Sequence, residues 1–500
     1  MADEGSHRKA ALAACFAGMV AVACFAWSSR PFQFPYDDSY IALEFARNLA
    51  ATGHLTYDGV HTIAGTTTLL HIMLLSVPAR LGLPMEMSDA ALGVLFFILL
   101  IERTAALAMR LTQRWEAALY AAMATALTGY LVYDALNGLE TTMFMLLIVT
   151  CLGSFIRSCA GGKGYAWSGF WLFLTALARP EGIWLAVSLI LYLMLLALRR
   201  REEIPRLAKL AAFLMGGVLL TLVTQRLVQG TVTPHTALSK VYFYNQFRQP
   251  FLIRLKGYSH NLALIWNLLL LPLLPALWAR KSRPLLVMIL PWIIITQVMF
   301  VMLLPLEVSA YQGRYLHPFM PLFFVMAGDG ANNLWHSSGR FQVPRWAVAM
   351  CLALIAAVCY FNLVTLHARY NNDKAIIRDN DIWATRWLQA HAAPGSRVAA
   401  YDIGALRYLG KFPLLDLCGL TDEAVMERNR TESGQADYLL SQRPDYLVGD
   451  AAWLKRLYHY VPADHCCATE VAVAHPNALT AIQFRIYHFL WDQEAKGTKQ

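Results

Sequence analysis

The stretch PYDDSYIALEFARNLAATG, Pro35–Gly53, governs how the rest of the chain is read. It follows an apolar run, Ala10–Trp27, that is preceded by His7-Arg8-Lys9. A bilayer span needs about 20 apolar residues, and a basic flank holds the start of such a span on the inner side. A cleaved signal peptide is the alternative, but no clean small-x-small site precedes Arg30. The spacing therefore predicts a retained first span, with Pro35–Gly53 emerging outside. Within it Ile41, Phe45 and Leu49, joined by Ala42, recur at helical spacing, and Glu44, Arg47 and Asn48 form the polar face. This is an amphipathic helix lying along the membrane, with Asp37-Asp38 at its start.

Outward from this segment the chain keeps the character of a membrane protein. Its 500 residues are 57% hydrophobic and only 15% charged, with mean hydropathy +0.42; soluble domains carry roughly 25% charge. Further spans are expected at Ala90–Met109, Trp115–Tyr133, Thr141–Ile156, Tyr165–Ala178, Ile183–Leu198, Leu207–Thr224, Asn261–Ala279, Leu285–Leu304, Tyr315–Asn333 and Ala347–Leu366. The linkers alternate. Arg110 to Arg114, Arg157 to Lys163, Arg199 to Arg206, Arg280 to Arg283 and Arg340 to Arg345 are basic and belong inside. Asn137–Glu140, Arg179–Gly182, Gln225–His260 and Leu306–Arg314 belong outside. One apolar segment, Thr66–Leu83, breaks the alternation if it spans, because every later loop then changes side. Laying it along the outer surface restores the parity. Residues 28–88 then form one outer loop with two juxtamembrane helices, and the membrane domain, 1–366, holds about eleven spans.

After Leu366 the pattern changes. Asp379–His391 reads as an amphipathic helix, Arg397–Tyr401 as a strand entering a turn at Asp402-Ile403-Gly404, and Tyr446–Val448 and Ala481–His488 as further strands. The expectation is a small α/β domain over 367–500, outside. Together these readings describe a polytopic α-helical membrane protein with a C-terminal α/β domain on the outer side. The net charge of +9 sits in short clusters between apolar runs, as insertion requires, which argues against nucleic acid as a partner. Of nine cysteines, Cys15, Cys24, Cys151, Cys159, Cys351 and Cys359 lie in or beside apolar runs and read as packing residues. A bridge among Cys418, Cys466 and Cys467 is open to an outside domain, and no spacing suggests a zinc site.

Chemistry concentrates on the outer face. Either Asp37 or Asp38 alone is explained as a helix N-cap. Two adjacent carboxylates repel, and the repulsion raises one pKa toward the range of a general base. Glu140, and Arg179 with Glu181 around Pro180, place ionisable groups at span ends, where they default to function or to mutual pairing. Arg179 and Glu181 read equally as an ion pair at a broken helix and as a binding group. Lys240 lies in an outer loop against the charge bias, and Arg314 with His317 stands at an outer span entry. These cations make a rim facing the acidic pair, suited to an anionic lipid headgroup. His54 and His61 sit in a polar loop and read as ordinary surface histidines.

In order along the chain, Tyr36-Asp37-Asp38-Ser39-Tyr40-Ile41 with Ala46-Arg47-Asn48-Leu49, Gly138-Leu139-Glu140-Thr141, Arg179-Pro180-Glu181-Gly182, Thr233-Pro234-His235-Thr236 with Ser239-Lys240, Gly313-Arg314-Tyr315-Leu316-His317-Pro318, Asp402-Ile403-Gly404-Ala405 and Leu415–Asp422 resemble the GT-C superfamily of membrane glycosyltransferases. The resemblance is nearest to bacterial members of the arabinofuranosyl- and mannosyltransferase type. It implies two juxtamembrane helices in the first outer loop, which the parity count requires independently. It also implies that Asp37 or Asp38 is the catalytic base, with Asp37 slightly preferred, and that the donor is a polyprenyl-phosphate sugar. Lys240 and Arg314, with His235, His317 and Arg179, are the implied phosphate-binding set; Glu140, Glu181 and Tyr40 support the acceptor or the structure. Related sequences usually read Pro-Asn-Thr where this one has Pro234-His235-Thr236. A single phosphate leaving group does not demand a divalent ion, so no metal or other cofactor is expected. The acceptor stays open among glycan, lipid and protein. Two other functions use the same rim: a flippase or transporter of lipid-linked sugars, and a non-catalytic scaffold that binds envelope polymer. Neither inverted repeats nor charges at mid-bilayer, apart from Glu102 and Arg103, favour the transporter.

Overall fold

The computed structural model describes residues 2–61, 65–161, 163–232, 235–245, 250–267, 270–303, 310–336, 345–431, 433–460, 468–474 and 482–491. Each apolar run expected to span forms helix over most of its described length. Among the described residues, six helices are long and apolar enough to cross a membrane unaided: Arg8–Ser28, Met85–Thr112, Thr141–Gly161, Glu181–Arg199, Arg201–Gln229 and Arg283–Met302. The others are shorter or interrupted for local reasons. The run starting at Trp115 breaks at Thr128 between the helices Trp115–Leu127 and Gly129–Asp134. Near Leu270 the closely spaced Pro272 and Pro275 remove amide donors, and the chain proceeds through a one-turn helix and a 3-10 turn. The helix Arg345–Ile377 carries 33 residues and runs past Leu366 before the C-terminal domain begins.

The segment that breaks the alternation is too short to span. Its helix, Leu69–Arg80, has 12 residues, about 18 Å at 1.5 Å per residue. It packs on the other helix of the same loop, Asp37–Thr52. The loops then sort by end. Lys281 donates to the carbonyl of Thr112 at 2.6 Å, and Arg206 to that of Ser158 at 3.1 Å, so basic linkers meet basic linkers. Glu140, Arg314, Lys240 and Thr66–Thr68 meet at the opposite end. Spans approach closely where side chains are small: a Cβ on Gly169 would lie 2.3 Å from the Phe213 carbonyl oxygen, and one on Gly217 2.3 Å from that of Gly169. Without a hydrophobic drive between helices in lipid, such close backbone contact is a main source of packing energy.

The C-terminal domain is a mixed five-stranded sheet in the order β2-β1-β3-β5-β4, with β1 Val398–Ala400, β2 Leu414–Asp416, β3 Tyr446–Asp450, β4 Ala468–Val473 and β5 Phe484–Phe489. β1 runs parallel to β2 and β3, and β5 is antiparallel to both its neighbours. The chain is thus a polytopic α-helical membrane protein with a small α/β domain at its C-terminal end. β2 and β4 are strands not expected from the sequence. The segment 225–260, read from the sequence as a long loop, contains the helix His235–Asn245 and the start of Phe251–Asn267. Cys418 is buried, whereas Cys466 and Cys467 lie outside the described residues.

Candidate active site

Asp37 and Asp38 open the helix Asp37–Thr52, as expected, but they point to different partners. Neither caps its own helix; the N-cap is Tyr36, without a side-chain bond. Asp37 is buried. Its Oδ2 accepts the N–H of Gly404 at 2.6 Å and its Oδ1 that of Ala405 at 2.7 Å. It therefore satisfies the start of a short helix in the C-terminal domain. Gly404 is required there by close approach, because a Cβ would lie 2.2 Å from the Asp37 carbonyl oxygen. Burial pushes the Asp37 carboxyl up to about 6, against the two amides and with help from the Asp38 charge.

The same helix and the loop after it are bonded to the C-terminal domain. Glu44 pairs with Arg407 at 3.2 Å, Arg47 donates to the Tyr408 carbonyl at 3.1 Å, and the Tyr57 hydroxyl donates to that of Ile403 at 2.9 Å. Tyr40, expected near the site, is buried between the rings of Phe34 and Tyr408, each 5.9 Å away. These contacts fix the helix and leave Asp38 facing a cavity.

That cavity, about 70 Å³, is lined by Asp38, Thr66–Thr68, Glu140, Thr236, Lys240, Arg314 and Leu420, among others. It holds a few water-sized groups. Asp38 Oδ2 is 3.8 Å from Arg314 Nη2 and 3.9 Å from Lys240 Nζ. These are ion pairs, too long for hydrogen bonds. Lys240 is carried by the helix His235–Asn245, which docks on the C-terminal domain: Ser239 donates to the Gly419 carbonyl at 2.5 Å, and Phe243 stacks on Tyr401 at 6.4 Å. Leu420 arrives on a loop organised by Asp416. The Asp416 carboxylate accepts the amides of Cys418 and Gly419 at 3.0 Å each, the amide of Thr421 at 2.6 Å and its hydroxyl at 2.9 Å. Burial raises Asp416 to about 6, against those donors.

The other expected residues divide. Glu140 lines the cavity and accepts from Arg179 at 2.8 Å. Arg179 does not line it; it is buried between Glu140 and Glu181, 2.6 Å from the latter, with the Tyr315 ring 5.0 Å from its guanidinium carbon. Glu181 and Arg179 thus form an ion pair at the break between two spans. His317 is turned away from the cavity. It is fully buried, its Nδ1 2.6 Å from Asp134 and its Nε2 3.1 Å from the Gln312 carbonyl. Both ring nitrogens are engaged there. His235 begins the helix that carries Lys240, but its side chain lies outside the described residues. Asp402 reads in the sequence only as part of a turn motif, without a role of its own, and Asp381 is not singled out there. Burial and the neighbouring charges of Asp37 and Asp38 hold Asp402 well above the usual carboxylate range. Burial and the charges of Asp402 and Asp37 do the same to Asp381. The signal for Asp402 was its place between a strand and a glycine; Asp381 has no local signal. Among the described residues no group of three or more His, Cys, Asp or Glu side chains is arranged to hold a metal ion.

Spanning helices with a C-terminal α/β domain docked on them form a fold that solved structures share. ArnT from Cupriavidus metallidurans, bound to undecaprenyl phosphate, superposes with TM-score 0.59 at 14% identity, over 94% of this chain and 97% of that one. The archaeal oligosaccharyltransferase AglB from Archaeoglobus fulgidus, in complex with an inhibitory peptide and a dolichol-phosphate, superposes with TM-score 0.55 at 11% identity, over 99% of this chain and 75% of that one. The profile of a domain of unknown function (DUF8728) matches residues 374–487. No curated protein matches the sequence.

Proposed function

We propose that this protein transfers a sugar from a polyprenyl-phosphate donor to an acceptor hydroxyl of the cell envelope, on the outer face of a bacterial plasma membrane, with Asp38 as the general base. The observation that carries the proposal is the position of Asp38: it faces a cavity, 3.8 Å from Arg314 and 3.9 Å from Lys240, while Asp37 is held by two amides behind it. This reverses the slight preference for Asp37. A base needs an oxygen that an incoming hydroxyl can reach, and both Asp37 oxygens already accept. Asp37 is a positioning residue in this scheme. The likeness to ArnT, crystallised with undecaprenyl phosphate, supports a lipid-phosphate carrier.

The chemistry follows from charge. The donor phosphate enters beside Lys240 and Arg314 and exchanges for their long contacts to Asp38. Asp38 then takes the proton of the acceptor hydroxyl as its oxygen attacks the anomeric carbon. The bond from that carbon to the phosphate oxygen breaks, the electron pair leaves with the polyprenyl phosphate, and the two cations balance its charge. Attack opposite the leaving group inverts the anomeric centre. Glu140 holds Arg179 beside the cavity and contributes to its wall.

The test is transfer in membranes supplied with a radiolabelled polyprenyl-phosphate sugar. Wild type is expected to form a labelled product, and Asp38→Asn to lose roughly 10²–10⁴-fold of that rate, the usual worth of a general base. Full transfer by Asp38→Asn overturns the assignment of the base. Movement of the intact lipid-linked sugar across the bilayer, with no bond cleaved, overturns the enzyme in favour of a transporter.

A further inference from the structure

A second groove lies at the other end of the membrane domain. It measures about 440 Å³ and is formed by the second half of Met85–Thr112, the stretch from Leu146 to Arg157 of Thr141–Gly161 and the start of Tyr165–Ala178. Arg103, Arg110 and Arg157 line it together with Trp167 and Trp171. The residues from Asp89, at the loop end of its helix, to Arg110 span about 30 Å at 1.5 Å per residue. Arg110, at the far end of the groove, is therefore most of a membrane thickness from that loop end, and Leu99, at its near end, about half as far.

Its charge is unbalanced. Arg103 pairs at 2.9 Å with its neighbour Glu102, but among the described residues Arg110 and Arg157 make no ion pair with a carboxylate. Three arginines brought to one apolar groove with a single acid call for an anion. The rest of the lining suits lipid. Trp167 is 61% exposed, although its ring is large and apolar, as expected for an indole at the boundary between acyl chains and headgroups. The floor is open at Gly153, where a Cβ would meet nothing within 4 Å. A volume of this size exceeds what a phosphate fills and leaves room for the first part of an acyl chain.

We infer that this groove is a binding site for an anionic glycerophospholipid of the leaflet opposite the Asp38 cavity. The phosphate sits between Arg110 and Arg157, Arg103 reaches up toward it from deeper in the groove, the indoles of Trp167 and Trp171 flank the glycerol region, and an acyl chain runs over Gly153. The inference does not depend on the chemistry at Asp38. Basic pockets between spans are a known means of holding acidic headgroups.

The experiment is native mass spectrometry of the full-length protein, delipidated in detergent and offered equimolar phosphatidylglycerol and phosphatidylcholine. Wild type is expected to carry roughly tenfold more of the anionic lipid. Arg110→Gln combined with Arg157→Gln is expected to bring the ratio near one. Gly153→Leu leaves every charge in place and fills the groove, so it too is expected to lower phosphatidylglycerol retention; the open space at Gly153 makes it tolerable to the fold. Equal retention of both lipids by wild type overturns the inference. So does displacement of phosphatidylglycerol by millimolar inorganic phosphate, which would show ion exchange at exposed arginines, or unchanged selectivity in Gly153→Leu.

Discussion

The carboxylate of Asp37 accepts the backbone N–H of Gly404 at 2.6 Å, a bond between the helix Asp37–Thr52 and the C-terminal domain. The two residues are in contact along their backbones as well, because Gly404 has no Cβ to keep the Asp37 carbonyl away. The C-terminal domain is thus part of the frame that aims Asp38, and damage at Gly404 should be felt at the cavity.

Gly404→Ala tests that coupling. The new methyl would lie 2.2 Å from a backbone oxygen, which cannot swing aside as a side-chain tip can. Overpacking of this kind costs about 1–3 kcal/mol. The thermal unfolding midpoint is expected to fall and sugar transfer to drop at least roughly tenfold, since a misplacement of about 1 Å is worth that and more. Gly395→Ala is a poor control because Gly395 has φ +84, whereas Gly216→Ala meets open space and should leave both readouts unchanged.

Asp37 also gives the fold a pH dependence. Its carboxyl titrates at about 6 in the protein against an ordinary value of 3.8. The folded chain therefore binds this proton more tightly than the unfolded chain, and the resulting stability is fully present below about pH 4 and is lost as the pH rises through 6. A difference of that size corresponds to about 3 kcal/mol. Asp416, also at about 6, acts in the same direction. The unfolding midpoint is expected to fall between pH 5 and pH 7.5, and Asp37→Asn, which cannot ionise, should reduce the slope without abolishing it. A slope identical to wild type would exclude this role for Asp37.

The two cations of the cavity differ in what they can offer a phosphate. Arg314 presents a planar fork, Lys240 a single ammonium. Arg314→Lys keeps the charge and loses the fork, so it is expected to raise donor KM several-fold with little change in stability. Lys240→Ala removes a charge from a helix docked through Ser239 and Phe243, contacts it leaves alone. Its donor KM is expected to rise roughly tenfold. Saturation curves in the labelled-donor assay separate these effects from a loss of kcat.

How much of this was legible in the sequence depended on whether the determining contact was local. The helix at Asp37, the surface position of Leu69–Arg80 and the spans are set by periodicity and charge alternation, both readable within a few dozen residues. The convergence of Lys240, Arg314 and Asp38 was anticipated only as a rim on one face. The division of labour between Asp37 and Asp38 was not legible, because it is decided by Gly404 and Ala405, which lie 367 and 368 residues from Asp37. The partner of His317 was hidden for a related reason: Asp134 sits 183 residues away in a helix that read as the end of a span. β2 went unseen because it has three residues, too few for an alternating pattern to declare itself.

Arg179 tests whether a buried charge near a cavity serves binding or structure. Its guanidinium donates to Glu140 at 2.8 Å and to Glu181 at 2.6 Å, and all three side chains are buried. If it contributed to phosphate binding, Arg179→Met would raise donor KM in a protein of ordinary stability. The geometry argues for the other outcome. Removing the cation leaves two carboxylates buried without their partner, and breaking a buried pair from one side costs about 3–5 kcal/mol. Arg179→Met is therefore expected to lower the unfolding midpoint and the yield of folded protein sharply, with donor KM of the folded fraction within about twofold of wild type. Glu181→Gln is expected to cost less, because Glu140 still faces the arginine and the amide oxygen can still accept its hydrogen bond. The combined variant Arg179→Met, Glu140→Gln, Glu181→Gln removes all three charges and should recover part of the stability lost by Arg179→Met alone. Recovery of that kind identifies the uncompensated carboxylates as the source of the loss, and its absence would return Arg179 to the phosphate-binding set.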